Sequence, residues 1–353
     1  GRLIPALKTR TCHDPHSHHH RPAGPDNPGQ IAMKRILVLG GSGFIGRHLC
    51  EKAGQLNCRL TVPTRHMVNA RAVAPLPWVD VVETDIHVEM DLTRLVRGHD
   101  AVINLVAILH GDAAAFNHVH VALVQKLARA CIGGKVRHLV HVSALGAAAD
   151  APSMYQRSKA EGEAVLLASK LATTILRPSV VFGAQDRFLN MFAKLQAIFP
   201  VMPLAGADTR FQPVWVQDVA QAIVNRLRSL DRLHAPGAIA AGPVFEACGP
   251  DVFTLRELVR LAGRLSGNAR PVIALPDVLA RLQATVMEWL PGEPLMSRDN
   301  LASLQVDNIA SGVLPGLEEL GIRASSLPAI APSYLRPGAR DPLLALRRQS
   351  GPL

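Results

Sequence analysis

Short apolar runs rich in leucine and β-branched residues alternate along this chain with segments whose apolar residues recur at helical spacing. Continuous apolar runs of that length are typical of strands that are buried on both faces. The pattern predicts strands at residues 34–39, 59–63, 79–83, 101–106 and 137–142, with helical segments between them. Because parallel strands need helical crossovers, this order predicts an α/β fold with a doubly wound parallel sheet.

The chain changes character after a sixth strand that leads to Pro178. We expect residues 33–182 and 213–230 to form the sheet domain, to which residues 215–219 return the chain. Residues 183–212 and 237–335 are predicted to form a smaller C-terminal lobe that walls a substrate cleft.

Polar residues mark the expected helix starts in this part of the chain. We expect Asp218 to cap a helix over 219–227 and Thr254 to cap one that ends at Leu265. Pro276 opens a third, unusually apolar helix that runs to Leu290. That helix covers the lobe or docks a protein or membrane surface, and the sequence leaves both interpretations open.

Both ends of the chain lack apolar periodicity. Residues 1–32 are rich in Pro, Gly, His and Arg and are predicted to be a disordered lead-in, with Met33 directly before the first strand. Their histidines could bind a metal ion, but a flexible tail is the simpler interpretation, and no metal site is predicted. Residues 336–353 are predicted to be a loose tail.

Composition and charge indicate which partners the protein can bind and in which compartment it is found. The net charge is +10 and the pI is about 9.9, but the basic residues are scattered, so no nucleic-acid partner is predicted. Five cysteines without a CxxC pair favour reduced, buried thiols. With neither a membrane-spanning run nor an apolar signal-peptide core, the sequence predicts a cytoplasmic protein.

The first strand ends at a glycine cluster that opens a helical pattern, with the spacing Gly40-x-x-Gly43-x-x-Gly46. Gly40 allows a sharp turn, Gly43 lets a phosphate approach the main chain, and Gly46 lets the helix pack closely on the strand. The helix N-terminus would then face an anion. The turn predicts a dinucleotide site made by Gly40, Ser42, Gly43, Phe44, Ile45 and Gly46.

The residues that follow the second strand indicate which of the two nicotinamide dinucleotides, NAD(H) or NADP(H), the protein prefers. NAD-binding turns place an Asp or Glu about twenty residues beyond the glycines, yet no acidic residue lies between Lys52 and Val79. Arg65 occupies that region, and a guanidinium suits a 2′-phosphate by charge and by geometry. The sequence therefore predicts NADP(H) in preference to NAD(H), with a surface-turn arginine as the alternative.

Other residues are expected to line the cofactor because of their place at the carboxyl ends of the strands. Asp85 and Ile86 follow the third strand, where an adenine amino group could be met. Leu105 and Ala107 follow the fourth strand, and Pro178 follows the sixth. Each of them could equally be an ordinary turn or core residue.

Candidate chemistry follows the fifth strand. Ser143 stands at its end, and Tyr155 and Lys159 come on a helical pattern beginning twelve residues later. Residues four apart share one helix face, so both side chains can reach the same cleft. A nearby ammonium would lower the pKa of the Tyr155 phenol and suit it to proton transfer with a carbonyl or alcohol. Lys159 could also hold the cofactor ribose.

These motifs, together with residues 176–183 and 212–220, resemble the short-chain dehydrogenase/reductase superfamily in its extended, epimerase-like branch. The resemblance spans residues 33 to 335 and implies a Rossmann fold. Residues 142–147, 155–163, 182–190, 307–308 and 317–322 further resemble the reductase-like accessory subunit of respiratory complex I and its bacterial relatives.

The narrower resemblance implies NADP(H) binding, a link to respiratory or quinone metabolism, and no established turnover. It also implies a cytoplasmic or peripheral inner-membrane location in bacteria, or the mitochondrial matrix in eukaryotes. Catalytic extended members carry a Ser or Thr where this chain has Leu145 and an Asn where it has His120. Three interpretations follow: a weakly active NADP(H)-binding protein, an active reductase, epimerase or dehydratase, and a non-catalytic assembly subunit.

Overall fold

The computed structural model describes residues 34–230, 244–289 and 296–337. Within these residues, seven parallel strands form one sheet in the order β11-β6-β5-β4-β1-β2-β3. They are β1 (Lys34–Leu39), β2 (Cys58–Thr64), β3 (Val79–Glu83), β4 (Ala101–Asn104), β5 (His138–Val142), β6 (Thr173–Pro178) and β11 (Val244–Ala247). The predicted doubly wound parallel sheet is confirmed.

The first strand lies next to the centre of this sheet because its four apolar residues from Ile36 are buried on both faces. It pairs with β2 on one side and with β4 on the other. Along the chain, β2 and β3 are added on one side of β1, and the strands from β4 onwards are added on its other side. The order of the strands therefore switches between β1 and β4. In open α/β sheets this switch point leaves a crevice at the carboxyl ends of the strands, and the predicted site residues follow those ends.

The helices cover both faces of the sheet and build the smaller lobe. They are α1 (Phe44–Ala53), α2 (Glu89–Val96), α3 (Ala113–Phe116), α4 (Leu123–Gly133), α5 (Met154–Ala168), α6 (Leu189–Ile198), α7 (Val216–Leu230), α8 (Leu255–Ser266), α9 (Asp277–Trp289), α10 (Arg298–Ser303), α11 (Leu327–Ile330) and α12 (Pro332–Leu335). A π-helical segment, Asn117–Ala122, joins α3 to α4. Apolar residues of α1 and α7 pack on one face of the sheet and those of α2 and α4 on the other.

A separate apolar core holds α6, α8, α11 and α12 together. Around it lie three short strand pairs: β7 (Val181–Phe182) with β10 (Val214–Trp215), β9 (Arg210–Phe211) with β12 (Phe253–Thr254), and β8 (Met202–Leu204) with β13 (Val272–Ala274). Thr254 caps α8 in a capping box with Glu257, so the cap predicted at Thr254 is confirmed. These helices and short strands thus form a second packing unit beside the sheet.

Several expectations for this half of the chain were wrong. Trp215 pairs with β7 and does not return to the large sheet, whose last strand is β11. That strand lies inside the range 237–335 assigned above to the smaller lobe. Asp218 lies within α7 and accepts hydrogen bonds from the amide (2.7 Å) and hydroxyl (3.3 Å) of Ser325, so it is not the helix cap. The extents of the two domains otherwise stay a prediction.

The apolar helix predicted after Pro276 is α9. Ala280 and Ala284 are buried, whereas Val278, Leu282 and Val286 are more than half exposed. No helix among the described residues is long and apolar enough to cross a membrane. The tail predicted at residues 1–32, with its histidines, lies outside the described residues, and so does the tail predicted at 336–353 apart from its first two residues.

Candidate functional site

The glycine turn between β1 and α1 has the geometry that its spacing predicted. Gly40 has a φ of 78°, which favours glycine, and the turn closes by a hydrogen bond from the Gly43 amide to the Gly40 carbonyl (3.0 Å). A Cβ at Gly46 would lie 2.3 Å from the Gly40 carbonyl oxygen, so only glycine allows α1 to approach β1 this closely. A Cβ at Gly43 would meet only that same oxygen, at 3.2 Å.

The N-terminus of α1 has the features of an anion site. Gly43 occupies the N-cap position and has no side chain with which to cap the helix. The described first turn of α1 contains no acidic residue. The first amides of a helix have no partner within the helix. Ser42, Phe44 and Ile45 are half-buried around them, and Phe44 packs against Gly183 of the loop after β7. The turn therefore fits a dinucleotide pyrophosphate.

Charged side chains and a stacked pair of histidines lie beyond the ends of β2 and β3. Arg65 is exposed directly after β2, and Asp85 is exposed after β3, where its carboxylate accepts the His87 amide (2.9 Å). The His87 ring stacks on His118 with centroids 4.4 Å apart. Burial and then His118 lower the pKa of His87, Asp85 acts in the opposite direction, and Arg65 and Lys126 lower it to a smaller degree. Ile86 is half-buried against the core on this side of the sheet.

The residues predicted to line the cofactor at the ends of β4 and β6 lie at the carboxyl edge of the sheet. Leu105 extends the ladder beside β1, and its backbone lies 3.1 Å from the position of a Cβ on Gly40. Ala107 is exposed two residues later. Pro178 is the buried last residue of β6, and its carbonyl accepts the Leu145 amide (2.9 Å). Pro178, expected to follow the sixth strand, is thus the last residue of that strand.

Lys159 and Ser143 meet at the end of β5. The buried Lys159 ammonium donates to the carbonyl of Val142, the residue directly before Ser143 (2.8 Å). The Ser143 hydroxyl is buried and has no hydrogen-bond partner among the described residues. A buried hydroxyl without a partner is costly, so one is expected where a ligand completes the bonding. The Lys159 ammonium is thus bonded to the residue next to Ser143, at the carboxyl end of β5.

Burial of Lys159 also sets its protonation. The cost of burying the charge lowers the pKa of Lys159 to about 8, although Glu163, one turn further along α5, acts in the opposite direction. Glu163 in turn holds the Arg177 guanidinium with two oxygens, the shortest contact being 2.5 Å. Lys159 is therefore largely protonated at neutral pH and can give up a proton slightly above it.

Tyr155 differs from the expectation in its acidity. Its ring makes edge contacts with the rings of Phe116 and His120, with centroids 6.2 Å and 5.6 Å away. This enclosure raises the pKa of Tyr155 to about 12, so the lowered pKa expected from the nearby lysine was wrong for the protein without a ligand. At neutral pH the phenol holds its proton, which suits a proton donor better than a base.

His120 lies on the π-helical segment and connects the surrounding elements. Its Nε2 accepts the Ile108 amide (3.2 Å), and its Nδ1 lies 2.8 Å from the hydroxyl of Ser158, which donates to the Tyr155 carbonyl. A Cβ at Gly162 would lie 2.2 Å from the His120 carbonyl oxygen. Sequence reasoning found His120 only as a departure from a family pattern and missed Ser158.

The start of α5 is held by a residue that is distant in the chain. The Asp299 carboxylate, in α10, accepts the amides of Met154 (2.5 Å) and Tyr155 (3.1 Å). The side chain of Ser153 caps the same helix through the Gln156 amide. An aspartate 144 residues from Tyr155 carries no local sequence signal for this contact. Among the described residues, no group of three His, Cys, Asp or Glu side chains could hold a metal ion.

A glycine turn over an uncapped helix and a Tyr-x-x-x-Lys helix beside a strand-end serine indicate a nucleotide-dependent enzyme fold. A model of the NAD dependent epimerase/dehydratase family matches residues 36–242. The chain belongs to this family. The family resemblance inferred from the motifs is confirmed, and nicotinamide dinucleotides are the cofactor class of the NAD dependent epimerase/dehydratase family.

Two known proteins are similar to most of the chain. Mitochondrial NADH dehydrogenase (ubiquinone) 1 alpha subcomplex subunit 9 of Mus musculus is 28% identical over 318 residues, which cover 88% of this chain and 82% of that protein. The ceramide reductase of Caulobacter vibrioides is 28% identical over 247 residues, which cover 69% of this chain and 74% of the reductase.

One solved structure extends the likeness to the fold. The dTDP-glucose 4,6-dehydratase of Streptomyces venezuelae, solved with NAD and TYD bound, superimposes with a TM-score of 0.64 at 22% identity. The match covers 85% of this chain and 95% of the dehydratase. At this identity the likeness shows the Rossmann-type fold alone.

Proposed function

We propose that the protein binds NADP(H) at the carboxyl edge of its parallel sheet. The observation that carries this proposal is the glycine turn, where Gly46 lets α1 approach β1 and the uncapped helix N-terminus leaves room for a pyrophosphate. Arg65 after β2 adds a guanidinium in a region without acidic residues. We assign the adenosine to the neighbourhood of Asp85 and Ile86, and the nicotinamide to that of Leu105, Ala107 and Pro178.

For the chemistry, the site supports reduction of a carbonyl. When bound, NADPH supplies a hydride. Tyr155 holds the proton that the new alkoxide needs, because its raised pKa keeps the phenol neutral at pH 7. Lys159, with a pKa of about 8, can return a proton to the phenolate, and the unpartnered Ser143 hydroxyl can hydrogen-bond the carbonyl oxygen. Leu145 and His120 stand where catalytic relatives have polar groups, so we propose weak turnover.

The relatives give the proposed setting. The mouse protein is by name a subunit of NADH dehydrogenase (ubiquinone), and we propose that this chain is likewise linked to complex I or ubiquinone metabolism. It would act in the cytoplasm or peripherally at the inner face of the membrane in bacteria, or in the mitochondrial matrix.

A second candidate is an active reductase, epimerase or dehydratase of a small carbonyl or sugar nucleotide. The intact set of Tyr155, Lys159 and Ser143 favours it, and so does the ceramide reductase among the relatives. The third candidate, a non-catalytic assembly subunit, is favoured by Leu145 and His120.

Mass spectrometry of the nucleotide released from the purified protein tests the first part of the proposal. We expect NADP(H). Bound NAD(H) would overturn the role of Arg65, and failure of the protein to take up either dinucleotide would favour the assembly subunit.

Turnover is tested by NADPH oxidation with quinones, small ketones and long-chain ketones. Tyr155→Phe removes the proton donor while leaving the ring contacts with Phe116 and His120. We expect a slow activity that falls at least tenfold in this variant. Tyr334→Phe is the matched control, because it removes the other phenol of the chain, and it should leave the rate unchanged. Equal rates for wild type and Tyr155→Phe with every acceptor would exclude this chemistry.

A further inference from the structure

Asp299 links the C-terminal part of the chain to the helix that carries Tyr155 and Lys159. Its two carboxylate oxygens accept the first two amides of α5, those of Met154 and Tyr155, at 2.5 Å and 3.1 Å. Amides at these positions have no partner inside the helix. Asp299 is thus bonded to the main chain of the proposed proton donor itself.

The electrostatics of this contact favour a fixed position for the start of α5. A carboxylate at a helix N-terminus interacts favourably with the positive end of the helix dipole, and a charged acceptor forms a stronger hydrogen bond than a neutral one. Ser153 already satisfies the Gln156 amide, so Asp299 and Ser153 together bond three amides of the first turn. Without Asp299, the amides of Met154 and Tyr155 would lose their partner and the turn could fray.

The residues next to Asp299 in the chain are held by contacts of their own. Ser297 and Asn300 form a capping box that fixes the start of α10. The neighbouring Arg298 donates its amide and its Nε to the carboxylate of Glu288 in α9, both at 2.7 Å. Hydrogen bonds therefore join α9 to α10 through Arg298, and α10 to the start of α5 through Asp299.

We propose that Asp299 is a positioning residue that sets the place of the Tyr155 ring from the C-terminal part of the chain. The effect of Asp299 on turnover rests on the function proposed above. Its effect on the position of the Tyr155 ring does not. Loss of the carboxylate should release the first turn of α5 and loosen the Tyr155 ring from its contacts with Phe116 and His120. The turn that binds the dinucleotide lies on α1 and should be unaffected.

The experiment uses the full chain labelled with carbon-13 in its tyrosine rings. The chain has two tyrosines, so the ring signals that vanish in Tyr334→Phe belong to Tyr334 and the rest to Tyr155. We expect the Tyr155 signals to move towards the position of a solvent-exposed tyrosine in Asp299→Ala. In Asp299→Asn, where one amide oxygen can still accept a bond, they should move less.

Thr254→Ala is the matched control, since it likewise removes a side-chain cap from the start of a helix, here α8. It should lower the melting temperature without moving the Tyr155 signals. NADPH affinity should stay within about twofold of wild type in Asp299→Ala, whereas any turnover should fall about tenfold.

Unmoved Tyr155 signals in a folded Asp299 variant, or an equal movement in Thr254→Ala, would overturn the inference. If Asp299→Ala does not fold, the Asn variant decides by the same signals. Absence of turnover in wild type would refute the proposed reaction and leave the ring signals to decide the coupling.

Discussion

His120 Nδ1 lies 2.8 Å from Ser158 Oγ, and the Ser158 hydroxyl donates in turn to the main-chain carbonyl of Tyr155. Because Nε2 of the same ring accepts the Ile108 amide, the hydrogen of the neutral ring is on Nδ1. Burial, and to a smaller degree the charge of Lys159, lower the pKa of His120 to about 3. His120 is therefore neutral, and its two ring nitrogens join the loop after β4 to α5 by hydrogen bonds.

Because some buried histidines are neutral in the folded protein, we expect the free energy of unfolding to decrease in acid. Burial lowers the pKa of His138 to about 4, whereas an unfolded histidine titrates near 6.5, so between these values the unfolded chain binds more protons. The free energy of unfolding should be independent of this group above pH 6.5 and fall below it. His138 contributes at most about 3 kcal/mol to this fall.

Denaturant unfolding at pH 7.5 and pH 4.5, without nucleotide, measures this effect. We expect His138→Asn to lose part of the pH dependence. His66→Asn alters an exposed ring and should retain all of it. The same pH dependence in the two variants would contradict the prediction.

Arg65→Ala should weaken NADPH binding by about 10- to 100-fold, because a charge-assisted hydrogen bond to phosphate contributes about 1.5–3 kcal/mol. NADH lacks the 2′-phosphate, so its affinity should change little. Calorimetric titration of both dinucleotides tests this, with Arg71→Ala as a control on another exposed arginine of the same loop. Equal losses for NADPH and NADH would count against the assignment of Arg65.

Three glycine variants separate folding from binding. Gly43→Ala has a permitted backbone conformation (φ −76°) and meets only one oxygen at 3.2 Å, so it should fold normally but bind nucleotide at least tenfold more weakly. Gly46→Ala places its methyl 2.3 Å from the Gly40 carbonyl oxygen and should lower both stability and binding.

Gly133→Ala, at the end of α4 where nothing lies within 4 Å, is the control. It should leave nucleotide binding unchanged and raise stability by up to about 1 kcal/mol. Thermal melts and nucleotide titrations of all three variants provide the comparison, and normal binding by Gly43→Ala would place the pyrophosphate elsewhere.

Ser143→Ala should separate stability from activity. Its buried hydroxyl has no partner among the described residues, so its removal should leave the free energy of unfolding unchanged or raise it by about 1 kcal/mol. Ser179→Ala is the contrasting case, because that buried hydroxyl donates to Asn308 Oδ1 (2.6 Å) and its loss should cost about 1 kcal/mol.

NADPH oxidation should fall in Ser143→Ala by about tenfold or more. Chemical unfolding of both serine variants measures the predicted changes in the free energy of unfolding. A clear loss of stability in Ser143→Ala would show that Ser143 has a structural role instead.

The parts of the fold that sequence predicted are those with local causes. The apolar run of β1 and the glycine spacing after it act through neighbouring residues, so strand, turn and helix could all be placed. The cap at Thr254 was found for the same reason, since its partner Glu257 is three residues away.

The parts that sequence missed depend on distant partners. The strand β11 has only four residues and contains a buried glutamate, Glu246, whose carboxylate accepts the amide and hydroxyl of Ser311. Asp218 suggested a helix cap, but its partner is Ser325. The acidity of Tyr155 was misjudged because spacing along a helix does not reveal how completely the other elements enclose the ring.

The position of β11 has a consequence for dissecting the chain. This strand hydrogen-bonds along the outer side of β6, although the family match already ends at residue 242. A fragment cut at that boundary would leave the peptide groups of β6 unpaired at a sheet margin, where other chains can add as strands. Fragments of the sheet domain should therefore extend at least through Ala247 if they are not to self-associate.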